Sequence, residues 1–208
     1  CINTKDILLN NADYVIFDLE TTGLSARYDR IIEFGATKYS HGQEYDKRDF
    51  FINPNRKLRD VIKNKTNITQ EMVDGGKPIK EALQEILDYF GDAVIIDHKA
   101  AFDIGFLNEA LKKNGLPEIK NPIIDTLPWS RYMFPKQRSH TLEAVARTLG
   151  IEYDETKVHR AIYDAEVLEA VYIGMLSKVS EENPNIKMAD LADLTSKDVI
   201  LNARPKHI

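Results

Sequence analysis

The sequence predicts an α/β domain with a mixed sheet, and two patterns along the chain indicate it. The first is a pair of β-type segments, residues 30–39 and 46–52, joined by a short turn that contains Gly42. This pattern is typical of an antiparallel hairpin. The second is a later alternation of short apolar strands with helices, which favours parallel strands. Together they predict a central sheet, part antiparallel hairpin and part parallel, that is flanked by helices.

In chain order, the predicted strands are residues 14–19, 30–39, 46–52, 93–96 and 123–125. The first and the last two are short apolar runs, as expected of strands buried on both faces. The predicted helices are residues 68–73, 78–90, 103–114, 126–134, 142–149 and 160–178. Apolar residues at helical spacing and Gly or Asn–Gly at the ends support several of them. Thr69 is expected to cap the first of these helices.

The composition fits one globular domain, with 208 residues of which 43% are hydrophobic and 29% charged. We expect residues 12–178 to form this domain, residues 1–11 to be a linker leading into it, and residues 179–208 to lead out towards a further domain. Cys1 is the only cysteine, so an intrachain disulfide is excluded. A start without Met predicts a piece of a longer protein. No apolar run suits a membrane span, and we expect a cytoplasmic protein that does not contact a membrane.

The formal net charge of −5 argues weakly against a nucleic-acid binder. That argument weakens further if several acids bind metal ions, because the cations would reverse the local field. Two basic groups, at residues 63–65 and 136–138, could contact phosphates or form an ordinary solvated surface. The sequence leaves both alternatives open.

Two acids, Asp18 and Glu20, stand two positions apart at the end of the first strand. Residues i and i+2 of a strand point to the same side, so the two carboxylates face one way. Adjacent anions repel each other, and burying them is costly. A bound cation would offset both effects; the alternative is a strand that ends in solvated acids.

Two later segments offer partners for these acids. Asp103 lies near the start of a helix that follows a buried strand, where α/β sheets commonly hold ligands, although it could simply interact with the helix dipole. Asp164 lies early in the last long helix and His159 just before it; the alternative is a surface acid and a helix-terminal histidine. Four carboxylates without cysteine favour Mg²⁺ or Mn²⁺. Two such ions suit in-line phosphoryl displacement, and His159 could be its base.

Residues 18–23, 98–103 and 159–164 together resemble the three motifs of the DEDDh family. Its members are ribonuclease H-like 3′-to-5′ exonucleases, among them bacterial proofreading subunits. Arg160 stands where the tyrosine version of the family would have Tyr, so the resemblance is to the histidine version. The resemblance spans about residues 13–178. Further stretches, at residues 24–29, 159–166 and 203–208, are similar to the exonuclease domain of PolC-type DNA polymerase III.

The resemblance implies a ribonuclease H-like fold and a site with two ions, Mg²⁺ or Mn²⁺. His159 would be the general base, and the ions would be bound by Asp18, Glu20, Asp103 and Asp164. The pocket for the 3′-terminal nucleotide would be lined by Thr21, Thr22, Leu24, His98 and Phe102. Taken alone, His98 favours a structural role, and Phe102 could equally be a core aromatic.

The second motif departs from the family pattern. It commonly reads His-Asn-Ala, whereas this chain has Lys99 in the middle position. Lys99 could contact a phosphate, point to solvent or weaken the site, and Asp97 could pair with it.

By the same resemblance, the expected function is metal-dependent removal of nucleoside 5′-monophosphates from single-stranded or frayed DNA 3′ ends. The expected role is proofreading, with the rest of a polymerase chain and its replisome as partners. One alternative is an exoribonuclease or a general repair exonuclease of the same family. The other is a catalytically silent module within a polymerase.

Overall fold

The computed structural model describes residues 3–202 of the chain. Six strands lie in this part: β1 (Asp13–Thr21), β2 (Ile31–Ser40), β3 (Gln43–Phe51), β4 (Val94–Asp97), β5 (Ile123–Asp125) and β6 (Ile200–Leu201). They form one sheet in the order β3-β2-β1-β4-β5-β6. β2 is antiparallel to β1 and β3, while β4 runs parallel to β1 and β5. The prediction of a mixed sheet with a hairpin and parallel strands is confirmed.

The helices described are α1 (Asp60–Thr66), α2 (Gln70–Asp74), α3 (Ile79–Phe90), α4 (Ala100–Lys113), α5 (Thr126–Met133), α6 (Leu142–Thr148), α7 (Ala161–Ser180) and α8 (Met188–Leu194). The helices α1 and α8 were not predicted from the sequence, and α4 begins three residues before its predicted start at residue 103. Thr69 caps α2 as predicted, because its side chain accepts a hydrogen bond from the Met72 N–H. Within residues 3–202, every helix is too short or too polar to cross a bilayer.

β1 is buried on both faces, and its side chains alternate between two apolar cores. Tyr14 and Ile16 belong to a core shared with α5, α6 and α7. Val15 and Phe17 belong to a second core, shared with α3 and α4. The strand therefore has to be apolar until its carboxyl end, and Asp18 is the first acid after this buried run.

The segments before and after the expected domain also pack against it. Leu9 is fully buried, and its N–H donates to the Ile186 carbonyl at 2.9 Å. β6 adds to the sheet beside β5. The described parts of residues 1–11 and 179–208 bury apolar side chains in the first core, and the assignment of these segments as connections to further domains stays a prediction. Residues 203–208, one of the stretches that carries the resemblance, lie outside the described residues.

Candidate active site

The first two acids lie at the carboxyl end of β1. Asp18 pairs with Gly35 of β2, Glu20 pairs with Glu33, and the register shifts directly after Glu20. Such a shift re-aims the following side chains and is common beside active sites. Behind it, the loop of residues 22–30 is closed by a hydrogen bond from the Arg30 N–H to Thr22 Oγ1 at 2.9 Å.

Gly35 allows the start of α7 to lie directly on the sheet. A Cβ atom at this position would be 2.2 Å from the Ile162 nitrogen and 2.3 Å from the Ala161 carbonyl carbon. Any side chain at residue 35 would push the helix away. Because Gly35 is the register partner of Asp18, this close approach brings Asp164, in the first turn of α7, over the acids of β1.

A buried carboxylate of β2 holds the same helix terminus. Glu33 is fully buried and accepts a hydrogen bond from the Ala161 N–H at 2.6 Å. It also accepts from Arg160 Nη2 at 3.0 Å. Glu33 thus caps α7 from another element, a role that Arg160 at the N-cap does not fill with its own side chain. His159, which precedes this anchored pair, has a left-handed backbone with φ of 62°.

The start of α4 is held in a comparable way. Asp125 at the end of β5 accepts hydrogen bonds from the N–H groups of Lys99 and Ala100, both at 3.0 Å. These two amides are otherwise unsatisfied at a helix terminus, which explains why α4 begins earlier than predicted. Asp103 consequently lies in the first turn of α4, only 5% exposed.

These anchors gather all five predicted catalytic residues into two adjoining groups. In the first, ligand atoms of Glu20, His159 and Asp164 lie within 4.8 Å of one another. In the second, carboxylate oxygens of Asp18, Asp97 and Asp103 lie within the same distance. The sequence analysis did not assign Asp97 to the site.

The electrostatics of the acids fit a bound divalent cation. Burial, and then the neighbouring acids, raise the pKa of Asp18 well above its usual range and that of Glu20 to about 9. Burial likewise raises the pKa values of Asp103 and Asp164 to about 7. Oδ1 of Asp164 is buried without a hydrogen-bond partner among the described residues. A cation would relieve the repulsion between the acids and would be coordinated by their carboxylate oxygens, which are ligands that Mg²⁺ and Mn²⁺ prefer.

A ring nitrogen of His159 lies beside the carboxylates of Glu20 and Asp164. Its side chain is half-buried, and burial, followed by the charge of Lys65, lowers the pKa of its imidazole below 6.5. The ring is therefore neutral near pH 7 and free to take a proton.

The two lysines of the basic group at residues 63–65 have different surroundings. Lys63 Nζ lies 3.4 Å from Oδ1 of Asp60 in the same helix. Lys65 is exposed, and its charge lowers the pKa values of Glu20 and Asp164, in the same direction as its effect on His159. α1 therefore adds a positive charge beside the acidic site.

The residues predicted to bind substrate differ in accessibility. Leu24 is 84% exposed, and Phe102 is half-buried with its ring 5.0 Å from that of Phe106. The hydroxyl of Thr21 donates to the Gly23 carbonyl at 2.7 Å, and Thr22 is 5% exposed. Leu24 and Phe102 offer the apolar surface of this set, whereas the two threonine hydroxyls make bonds within the loop.

His98, which was predicted to bind substrate, makes hydrogen-bond contacts within the domain through both ring nitrogens. Nδ1 lies 2.8 Å from Thr126 Oγ1 and Nε2 lies 2.7 Å from the His140 carbonyl. Both ring nitrogens thus connect neighbouring segments of the domain. This gives His98 a structural role, and its contact with substrate stays a prediction.

The ammonium group of Lys99 lies over the Phe102 ring. The Lys99 side chain is exposed, with Nζ 5.2 Å from the centre of that ring. The salt bridges among residues 3–202 do not include a Lys99–Asp97 pair, so the pairing suggested by the sequence is not found. Its charge nevertheless lowers the pKa of Asp103.

Comparison with known proteins identifies the family. A family model described as "Exonuclease" matches residues 15–172, which include every acid of the site and His159. The chain belongs to this exonuclease family. The expectation drawn from the three motifs is confirmed.

Similar curated proteins are much longer than this chain. DNA polymerase III of the PolC type from Staphylococcus epidermidis is 38% identical over 200 residues, which are 96% of this chain and 14% of the relative. The corresponding protein of Pediococcus pentosaceus is 39% identical over 207 residues, 99% of this chain and 14% of the relative. The chain thus spans about one-seventh of the length of these relatives.

Solved structures share the fold of this exonuclease domain. The nuclease domain of 3′hExo, a DEDDh family member bound to rAMP, has a TM-score of 0.70 at 22% identity and covers 83% of this chain and 95% of that one. Escherichia coli exonuclease I in complex with a dA16 oligonucleotide also has a TM-score of 0.70, at 17% identity, covering 84% and 42%. The ribonuclease H-like fold that the motifs implied is confirmed.

Three buried acids at or beside the site, Glu33, Asp97 and Asp125, were not assigned a role there from the sequence. Asp125 offered one signal, since an acid between a strand and a helix is a common N-cap, and it also accepts from the Leu127 N–H at 3.0 Å. Glu33 lies within an apolar strand and gave no comparable signal. Asp97 was noted only as a partner for Lys99.

Proposed function

We propose that this domain removes nucleoside 5′-monophosphates from the 3′ ends of single-stranded or frayed DNA, as a proofreading exonuclease within a PolC-type polymerase. The observation that carries the proposal is the convergence of His159 with the four acids in two adjoining groups of ligand distance. Membership of the exonuclease family supports it. So does similarity to PolC-type polymerases over nearly the whole chain.

The acids would hold two divalent ions, Mg²⁺ or Mn²⁺, through Asp18, Glu20, Asp103 and Asp164. When bound, such ions stabilise negative charge on the attacking and leaving oxygens of an in-line displacement. His159 accepts the proton of the attacking water, since its imidazole is neutral near pH 7 and partly open to solvent. Its anchored backbone keeps the acceptor nitrogen beside Glu20 and Asp164.

Selection of a frayed end follows from the shape of the site. Leu24 and Phe102, which lie close in the chain to Glu20 and Asp103, present exposed or half-exposed apolar surface, which suits a nucleobase held by stacking without sequence preference. A terminal nucleotide must leave its duplex partner to reach this surface. Because a mismatched nucleotide costs less to unpair, cleavage would favour mismatched ends.

The test is degradation of a 5′-labelled single-stranded DNA oligonucleotide with Mg²⁺ or Mn²⁺. We expect a ladder that shortens from the 3′ end and disappears with EDTA and in Asp18→Ala. Glu85→Gln, which removes an acid paired with Arg48 and Lys77 on the surface, serves as the matched control and should retain the ladder. The absence of a ladder in the wild type would contradict the proposal and favour a silent module.

The related-enzyme alternatives are separated by substrate. An RNA strand of the same sequence should be degraded more slowly than the DNA strand, and a duplex with a 3′ mismatch faster than a fully paired duplex. Faster degradation of RNA would favour an exoribonuclease. Equal rates on mismatched and paired ends would favour a general repair exonuclease.

A further inference from the structure

Asp97 belongs to one of the two groups of the acidic site and has no assigned role. It is the last residue of β4, directly after Ile96, which pairs with Ile16 of β1. Asp18 follows Ile16 by two residues on the same strand. The parallel pairing of β1 and β4 therefore places Asp97 beside Asp18, and oxygens of both lie within 4.8 Å of one another and of Asp103.

The carboxylate of Asp97 is buried and lacks protein partners. The residue is 1% exposed, and neither Oδ1 nor Oδ2 has a hydrogen-bond partner among residues 3–202. Its neighbour in the sheet, Asp125, is also buried, but accepts three backbone N–H groups. A buried carboxylate with no such donors requires a cation or a proton.

A proton would satisfy Asp97 only in part. A neutral carboxyl could donate to one oxygen of Asp103 and would leave its own second oxygen buried without a partner. A divalent ion between these acids would instead use the oxygen as a ligand. Ligand oxygens of one Mg²⁺ or Mn²⁺ at about 2.1 Å from the ion lie roughly 3–4 Å apart, which is compatible with the spacing of this group.

We propose that Asp97 is a fifth carboxylate ligand, which binds the divalent ion shared by Asp18 and Asp103. This inference rests on the metal-dependent function proposed above. It adds one negative charge to a site of four acids, and the exposed ammonium of Lys99, two residues later, supplies a positive charge on the same segment. The departure at Lys99 from the common motif thus accompanies the additional acid.

Calorimetric titration of Mn²⁺ into the metal-free domain tests the proposal. We compare the wild type with Asp97→Asn and with Glu169→Gln, which removes another buried acid, on α7, outside both groups of possible ligands. The wild type should bind two ions, and Asp97→Asn should weaken one of them by about tenfold or more. Glu169→Gln should bind as the wild type does. Asp97→Ala, which removes both oxygens, should weaken the same ion at least as much.

Thermal melting of the metal-free proteins separates loss of a ligand from loss of the fold. Asp97→Asn should not lower the melting temperature, because it removes a buried carboxyl without donors. Unchanged Mn²⁺ affinity and stoichiometry in Asp97→Asn would overturn the proposal and leave the proposed function intact. A wild type that binds no Mn²⁺ would overturn both.

Discussion

His159 is held in an unusual backbone conformation, with φ of 62°. Histidine adopts the left-handed region more readily than most residues, although such conformations cost energy and concentrate at functional sites. Here the conformation turns the chain directly before Arg160 and Ala161, both of which are bound to Glu33. The imidazole is thereby directed towards Glu20 and Asp164.

The pH dependence of cleavage should report this histidine. Burial and Lys65 lower the pKa of His159 below 6.5, and the base works only when unprotonated. At saturating metal, kcat should therefore fall as pH drops through a value below 6.5 and stay level above it. Steady-state rates on a labelled oligonucleotide between pH 5 and 8 measure the profile.

The matched variants are His159→Ala and His41→Ala. His159→Ala should lower kcat by about 10² to 10⁴-fold, and the fall of kcat at low pH should disappear. Mn²⁺ binding should be retained. His41 lies in the turn between β2 and β3, exposed and at the far end of the strands from the acids, and its replacement should change neither kcat nor its fall at low pH. If kcat of His159→Ala still fell at low pH, the assignment of His159 as the base would be contradicted.

The start of α7 is the element that assembles the site. Gly35 permits its contact with β2, and Glu33 satisfies its first amide and the Arg160 side chain. Burial and Glu33 also raise the pKa of Asp49 on β3 to about 7. Glu33 therefore interacts with residues of both β3 and α7. The terminus of α7 is the part of the helix that places both His159 and Asp164.

Glu33→Gln should impair this placement. The change leaves the Arg160 guanidinium without its buried anion, and we expect a loss of about 1–3 kcal/mol in the free energy of unfolding by urea. Because the base is displaced, kcat should fall by about tenfold or more while KM for the oligonucleotide changes little. Loss of stability with unchanged kcat would show that Glu33 supports the fold alone.

The control for Glu33 is Glu85→Gln. Glu85 also accepts from two cations, Arg48 at 2.7 Å and Lys77 at 2.5 Å. These groups are partly exposed, and surface pairs of this kind contribute about 1 kcal/mol or less. The variant should therefore retain both stability and kcat.

In the absence of metal, the acidic site lowers the stability of the folded domain. The folded pKa values of Asp103 and Asp164, about 7, and of Glu20, about 9, exceed those of ordinary carboxyl groups. The folded state therefore binds more protons than the unfolded state between about pH 4 and pH 9, and stability must fall as pH rises through this range.

Melting curves with EDTA at pH 5 and pH 8 test this expectation. The metal-free domain should melt roughly 5 °C or more lower at pH 8, and Mg²⁺ should raise the melting temperature more at pH 8 than at pH 5, because ions bind deprotonated carboxylates. Asp18→Asn should reduce the response to Mg²⁺. Equal melting temperatures at both pH values without metal would contradict it.

The residues that could be predicted are those whose chemistry is local in the chain. Asp18 and Glu20 share a side because of the strand period, and Asp164 follows His159 at the start of a helical pattern. Elements joined by long-range contacts were less predictable. α1, with Lys65, was missed, and its apolar residue Ile62 packs in a small separate core with Ile32 of β2.

Local patterns were enough to predict the class of sheet, the family and the five residues proposed for catalysis, because strand and helix periods and the three motifs can be recognised along the chain alone. How these motifs meet depends on long-range contacts that no local pattern reveals. Glu33 and Ala161 are 128 positions apart and yet form one hydrogen bond, and Asp97 is next to Asp18 because β1 and β4 pair in parallel. Burial, register and unsatisfied oxygens depend on what packs around a residue, and this is set by the whole chain.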